Sequence, residues 1–207
     1  MRRDAARNYE RVLAAAREVL DEHGTDATIE LIASRAGVGV GTVYRSFPTK
    51  EALVDELVRQ IFTDLVAAAR KALTETSGTG LRTLLFILGR AFTKHRGYAH
   101  LLVDRAPAEC GAEVLRGLIA ELLDDAQANG QVAADITLGD VLATIWAIRG
   151  IVESSGTVTP RAWQRHLDLQ LRAFSGAGGA SQLPPLSAQQ LNRITAGGPG
   201  AVDAPAE

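Results

Sequence analysis

Apolar residues recur along this chain at helical spacing, with no stretch of strand-like alternation. Val12, Leu13, Ala16, Val19 and Leu20 form one stripe and predict a first helix over about 4–22, ended by Gly24. Ile29, Ile32, Ala33 and Ala36 form a shorter stripe behind Thr28, a suitable N-cap, and Gly37 supplies the residue that tolerates positive φ where that helix ends. A third short pattern begins near Val40, buries Val43 and Phe47, and stops at Pro48. Thr49 then caps a long fourth pattern, Leu53, Leu57, Ile61 and Leu65, reaching about Leu73. A helix over 49–73 is about 37 Å long, enough to leave the first unit and act as a connector.

Beyond the loop Thr74–Gly80 come further helical patterns at about 80–96, 98–105, 109–128, 137–153 and 160–174, punctuated by Gly97, Pro107, Gly130 and the SSGTVTP stretch. The expected fold class is therefore all-α: three helices at the N-terminus joined by a long helix to a C-terminal helical bundle. The predicted divisions are 1–50, the connector 49–73, a bundle over 74–175, and a tail over 176–207. The tail holds many Gly and Pro, so disorder is expected there, although Leu186–Ile194 has the pattern for a turn or two of docked helix.

Two short helices joined by a glycine turn, over 28–50, match a helix-turn-helix, whose second helix enters the DNA major groove. Gly39 and Gly41 keep the start of the second helix slim. Thr42, Tyr44 and Lys50 offer groups suited to phosphate oxygens, and Arg45 suits a guanine O6/N7 pair or a phosphate. Spacing alone also permits a helical hairpin of another all-α protein, with Tyr44 and Arg45 merely solvated.

The run Thr28-Ile29, Ile32-Ala33, Ala36-Gly37-Val38, Gly41-Thr42-Val43-Tyr44, Phe47-Pro48 and Lys50-Glu51 resembles the DNA-binding signature of the TetR family of one-component bacterial regulators. One departure is Gly39, where many relatives carry a Ser that caps the reading helix. The resemblance implies that Thr28, Thr42, Tyr44 and Lys50 contact phosphates, and that Val40, Gly41, Arg45 and Ser46 lie in or near the groove. It implies a homodimer built from the last two bundle helices, through Ile145, Ile148 and Val152 on one and Trp163, Leu167, Leu171 and Phe174 on the other. An intramolecular core accounts for the same stripes. It further implies a cavity for a small apolar effector, with candidate lining Phe62, Leu65, Phe86, Leu88, Phe92, Leu101, Leu102, Trp146 and Arg149. The stretch from Leu101 through Arg149 more faintly resembles the C-terminal domain of SbtR-like members. The implied function is a ligand-responsive repressor on a palindromic operator; the alternative is a constitutive DNA-binding or partner-binding protein without an effector.

The net charge of −2 looks unfavourable for a DNA binder until the chain is divided. Residues 1–50 carry a net +1 and the remainder −3, and Arg2, Arg3, Arg7 and Arg11 crowd the first eleven positions. Such an arm adds phosphate or minor-groove contacts, or else is a solvated end. No apolar run approaches the ~20 residues of a membrane span, and the charged N-terminus has no secretory h-region. A single cysteine, Cys110, excludes an internal disulfide and fits a reduced, cytoplasmic setting. His23, His95, His100 and His166 lack metal-ligand spacing and are expected to be solvated or capping, so no metal and no cofactor is expected. No glycine-rich phosphate loop after a strand and no nucleophile elbow is present, which disfavours an enzyme.

Overall fold

The computed structural model describes residues 2–75, 78–104, 111–176, 179 and 181–197. Cys110, Pro107 and the end of the tail lie outside them. The described residues form helices α1 (Arg2–His23), α2 (Ile29–Ala36), α3 (Val40–Ser46), α4 (Lys50–Glu75), α5 (Gly80–Lys94), α6 (Leu101–Asp104), α7 (Ala112–Ala128), α8 (Leu138–Ser155), α9 (Ala162–Phe174) and α10 (Ala188–Gly197). Short 3₁₀ turns occupy Gly24–Asp26 and Arg96–Tyr98, and no strand occurs among the described residues.

The first unit closes because the predicted stripes meet. Val12, Leu13, Ala16, Val19 and Leu20 of α1, Ile32 and Ala33 of α2, and Val43 of α3 are all buried in one apolar core. Tyr9 stacks on Phe47 with centroids 5.1 Å apart, which fixes the end of α3 against the start of α1. Arg35 reaches back from α2 to Glu22 (2.7 Å) and Glu18 (3.3 Å) on α1. The Glu22 carboxyl pKa is lowered, chiefly by the hydrogen bond from Arg35.

The long helix α4 begins in this unit and ends in the second. Thr49 Oγ1 accepts from Ala52 N–H at 3.1 Å and caps its first turn. Its Glu56 accepts from both Arg59 (2.6 Å) and Gln60 (2.8 Å), and Gln60 in turn accepts from Arg17 of α1. Those bonds tie the α4 shaft to α1. Further along, α4 packs against α5 and α7 through Phe62, Leu65, Ala69 and Ala72.

The N-terminal arginines are the first turns of α1 rather than an extended arm, and Arg11 Nη2 donates to Gly37 O at 3.3 Å. Within the C-terminal tail, the stretch Leu186–Ile194 expected to hold a docked turn of helix falls largely in α10. Helix α10 contacts α6, Leu191 is buried, and Leu186 packs against Gly139 at the start of α8. Leu186 and Leu191 are among the side chains that hold that short amphipathic helix on the bundle. His95 is buried rather than solvated, with Nδ1 2.8 Å from the Tyr98 hydroxyl. Burial lowers its pKa to about 4, so the ring is neutral near pH 7.

The stripes expected at a dimer interface also pack within the chain. Ile145, Ile148, Val152, Trp163, Leu167 and Phe174 are buried where α8 and α9 pack on each other and on α5; Leu171 is half-buried against the same core. The Trp163 ring lies where a Cβ on Gly89 would sit, only 2.3 Å away, so α5 and α9 meet face to face. Ile148 and Leu167 have no exposed surface and serve the chain's own core.

Candidate nucleic-acid interface

Helix α2 is held at both ends by its own sequence. Thr28 has extended backbone (φ −97°, ψ 156°), and its hydroxyl oxygen accepts from Leu31 N–H at 3.3 Å. Gly37 is left-handed (φ 63°, ψ 40°), and Val38 N–H closes on Ala33 O at 3.1 Å, a Schellman end. Any residue with a Cβ at position 37 would be strained and would also meet Arg11 Nη2 at 2.7 Å. The turn is therefore fixed, and with it the direction in which α3 leaves.

Helix α3 buries Val43 and half-buries Val40 and Thr42, and leaves Gly41, Tyr44, Arg45 and Ser46 exposed. Tyr44 is 45% exposed, unusual for a large aromatic side chain. Arg45 Nε donates to Gly41 O at 3.2 Å, and the guanidinium forms no ion pair with a described residue. Gly39 is the N-cap, extended (φ −70°, ψ 146°) and without a capping side chain, as expected where relatives carry Ser. A Cβ at Gly39 or Gly41 would meet nothing within 4 Å. So α3 shows one slim, polar face that no other described part of the chain covers.

Lys50 is placed differently from the other candidates. Its ammonium donates to the carbonyls of Thr25 (2.5 Å) and Ala27 (3.0 Å), which close the turn between α1 and α2. The carbonyls needing a cation there were invisible in the sequence, because the 3₁₀ turn at Gly24–Asp26 that orients them has no side-chain signature.

Among the effector candidates, Phe62 and Leu65 of α4, Leu88 and Phe92 of α5, and Leu101 and Leu102 of α6 are all buried in the chain's apolar core, and α4 packs on α5. Phe86 lies instead by Trp163 (centroids 5.9 Å apart) and under Arg82 (5.2 Å). Arg149 pairs with Glu153 at 3.7 Å on α8. Trp146 is half-buried and packs in part against the core, on the same face of α8 as Ala143, Ala147 and Gly150. No group of three or more metal-ligating side chains occurs among the described residues, and no helix among them is long and apolar enough to cross a membrane.

Residues 12–57, from α1 into α4, match the family described as bacterial regulatory proteins, tetR family. A TetR transcriptional regulator from Streptomyces coelicolor is 32% identical, with a TM-score of 0.59 over 80% of this chain and 97% of that one. A TetR transcription regulatory protein from Mycobacterium vanbaalenii is 29% identical, with a TM-score of 0.58 over 84% of this chain and 98% of that one. The HTH-type transcriptional repressor KstR of Mycobacterium tuberculosis is 24% identical over 177 residues, 80% of each chain. The likeness runs along most of the length, and this chain belongs to the TetR family of bacterial transcriptional regulators.

Proposed function

We propose that this regulator is a repressor that binds a palindromic operator as a homodimer, one α3 in each of two successive major grooves. The observation that carries the reading is the outer face of α3: Gly39 and Gly41 open to space, with Tyr44, Arg45 and Ser46 exposed beside them. Thr28, Thr42 and Tyr44 take phosphate oxygens and fix the register, while Val40, Gly41, Arg45 and Ser46 meet base edges. Lys50 acts as a positioning residue through the carbonyls it holds. Members of the family are DNA-binding transcriptional regulators, not enzymes. A cytoplasmic location follows from that role.

The second copy meets the outer stripe of α8, Ala143, Trp146, Ala147, Gly150 and Ile151, together with Leu169 of α9, which is 49% exposed. Small residues there let two helices approach closely; Ala143 is exposed and a Cβ on Gly150 would meet nothing within 4 Å, while Trp146 and Ile151 pack in part on the chain's own core. A two-fold pair of such faces sets the reading helices about 34–36 Å apart, one turn of DNA. An apolar effector enters among Phe62, Leu65, Leu88, Phe92, Leu101 and Leu102, and its preference for one tilt of α4 shifts the population away from the DNA-binding state.

Selection of bound genomic fragments by the purified protein at two salt concentrations tests this. A palindrome whose occupancy falls with salt is expected, with Tyr44→Ala weakening binding across sequences and Arg45→Ala altering the preferred sequence. If both variants recover the same fragments as readily as the parent, α3 is not the reading helix.

A further inference from the structure

A cleft of about 320 Å³ opens where the DNA-binding unit meets the bundle. Its walls come from three places in the chain. Asp21 belongs to the last turns of α1, Lys94 and Arg96 flank the end of α5, and Val152, Ser155 and Pro160 belong to the end of α8 and the loop after it. None of the nine effector candidates lines it.

The cleft is chemically unfinished. Asp21 Oδ1 and Ser155 Oγ are buried and meet no hydrogen-bond partner, a condition that costs stability unless something fills it. Burial raises the Asp21 carboxyl pKa, against the Gly97 amide and the charges of Lys94 and Arg96. Neither cation forms a hydrogen bond or ion pair with a described residue, and Arg96 is half-buried, its Nη1 3.8 Å from where a Cβ on Gly156 would lie. Two cations and one carboxyl group leave an excess of positive charge beside two oxygen atoms that lack donors.

We propose that this cleft binds a small carboxylate carrying an adjacent hydrogen-bond donor, a hydroxy or amino acid. Its carboxylate pairs with Arg96 and Lys94, and its short carbon skeleton rests on Val152 and Pro160; an ammonium donates to both Asp21 Oδ1 and Ser155 Oγ, whereas a hydroxyl donates to Asp21 Oδ1 and accepts from the Ser155 hydroxyl. The volume is at the small end of ligand pockets, so the skeleton is short. A phosphate dianion fits less well, because the Asp21 carboxylate repels its second charge. The occupant touches both α1 and α8, so it cross-links the reading unit to the bundle. This site is separate from the apolar effector core, and its occupancy does not depend on how the operator is read.

The test is calorimetric titration of the full chain with serine and with glycerate, alongside propanoate, which lacks the donor, and ethanolamine, which lacks the anion. Serine or glycerate is expected to bind with Kd at or below about 1 mM, with both controls at least about tenfold weaker. Arg96→Gln is expected to weaken the bound acid by about 10- to 100-fold, the range for loss of a charge-assisted contact. Lys94→Gln, at an exposed position, gives a second reading if the first variant fails to fold. The proposal is overturned if neither acid binds at about 10 mM, if the controls bind as well, or if both variants bind like the parent. Operator affinity of the same preparation, measured without any acid, reports on the DNA-binding reading separately.

Discussion

A Cβ added at Gly39 or Gly41 would meet no other atom of the chain within 4 Å, whereas one at Gly37 is excluded by both backbone and neighbour. The two kinds of glycine look alike in the sequence and are distinguished by what surrounds them. Gly41→Ala should therefore leave the fold intact and add up to about 1 kcal/mol of stability, since alanine is the better helix former. It should also weaken operator binding, because the methyl group lies on the face offered to DNA. Denaturant unfolding and fluorescence anisotropy on a labelled operator check the two halves; unchanged affinity would place DNA elsewhere. Lys50 calls for the opposite pattern. Lys50→Ala removes two hydrogen bonds to carbonyls and should cost about 1–2 kcal/mol. The slope of log affinity against log salt should stay where it was. A slope smaller by about one would mean the ammonium sits on a phosphate. The residue types at this interface were legible from the sequence; Lys50's partners were not, because they are backbone atoms brought near by a turn.

Elements meet most tightly where the turn Arg96–Tyr98 crosses the end of α1. A Cβ on Gly97 would sit 1.9 Å from Leu20 O, so backbone touches backbone with no side chain between. Gly97→Ala should cost about 1–3 kcal/mol through overpacking, read as a lower melting temperature. In the sequence Gly97 was visible only as punctuation between two helical patterns. The same turn carries the His95–Tyr98 pair, whose geometry makes stability depend on pH. The neutral ring can accept the Tyr98 hydroxyl at Nδ1, which a protonated ring cannot do, and protonation also places a charge in the buried site. The folded pKa of about 4 lies below the ordinary 6.5, so the unfolded chain binds the proton first as pH falls. Stability is then complete above about 6.5 and is lost down to about 4, by on the order of 3 kcal/mol. Asp21, its pKa raised by burial, acts in the opposite sense at the acid end. His95→Asn keeps an acceptor for Tyr98 and should flatten the slope of unfolding free energy between pH 6.5 and 4. A variant with the parent's slope would assign it to another group.

At the scale of the whole molecule, periodicity revealed each long helix but not which of its two apolar faces the chain keeps for itself. On α8, Ile145, Ile148 and Val152 are the more hydrophobic set, and they go to the intramolecular core. The outer stripe of Ala143, Trp146, Ala147, Gly150 and Ile151 is milder, and a stripe of small residues is easily read as ordinary helix surface. In the tail the apolar pattern at Leu186–Ile194 was the legible signal against a Gly- and Pro-rich background, and Leu186 and Leu191 are among the side chains that dock it on the bundle. If the outer stripe of α8 faces a second copy, the decisive position is Gly150, where a Cβ would have nothing within 4 Å inside the chain. Gly150→Arg should then fold at least as well as the parent, since glycine is the poorer residue in a helix interior. It should run as a monomer in sedimentation equilibrium, because a bulky cation on each copy would force the two faces apart. Affinity for a full palindrome should fall to that for an isolated half-site, because the avidity of two linked reading helices is lost. A variant that stays dimeric and keeps full-site affinity would move the interface away from α8. A variant that is monomeric yet keeps that affinity would show that two reading helices need not be joined to act.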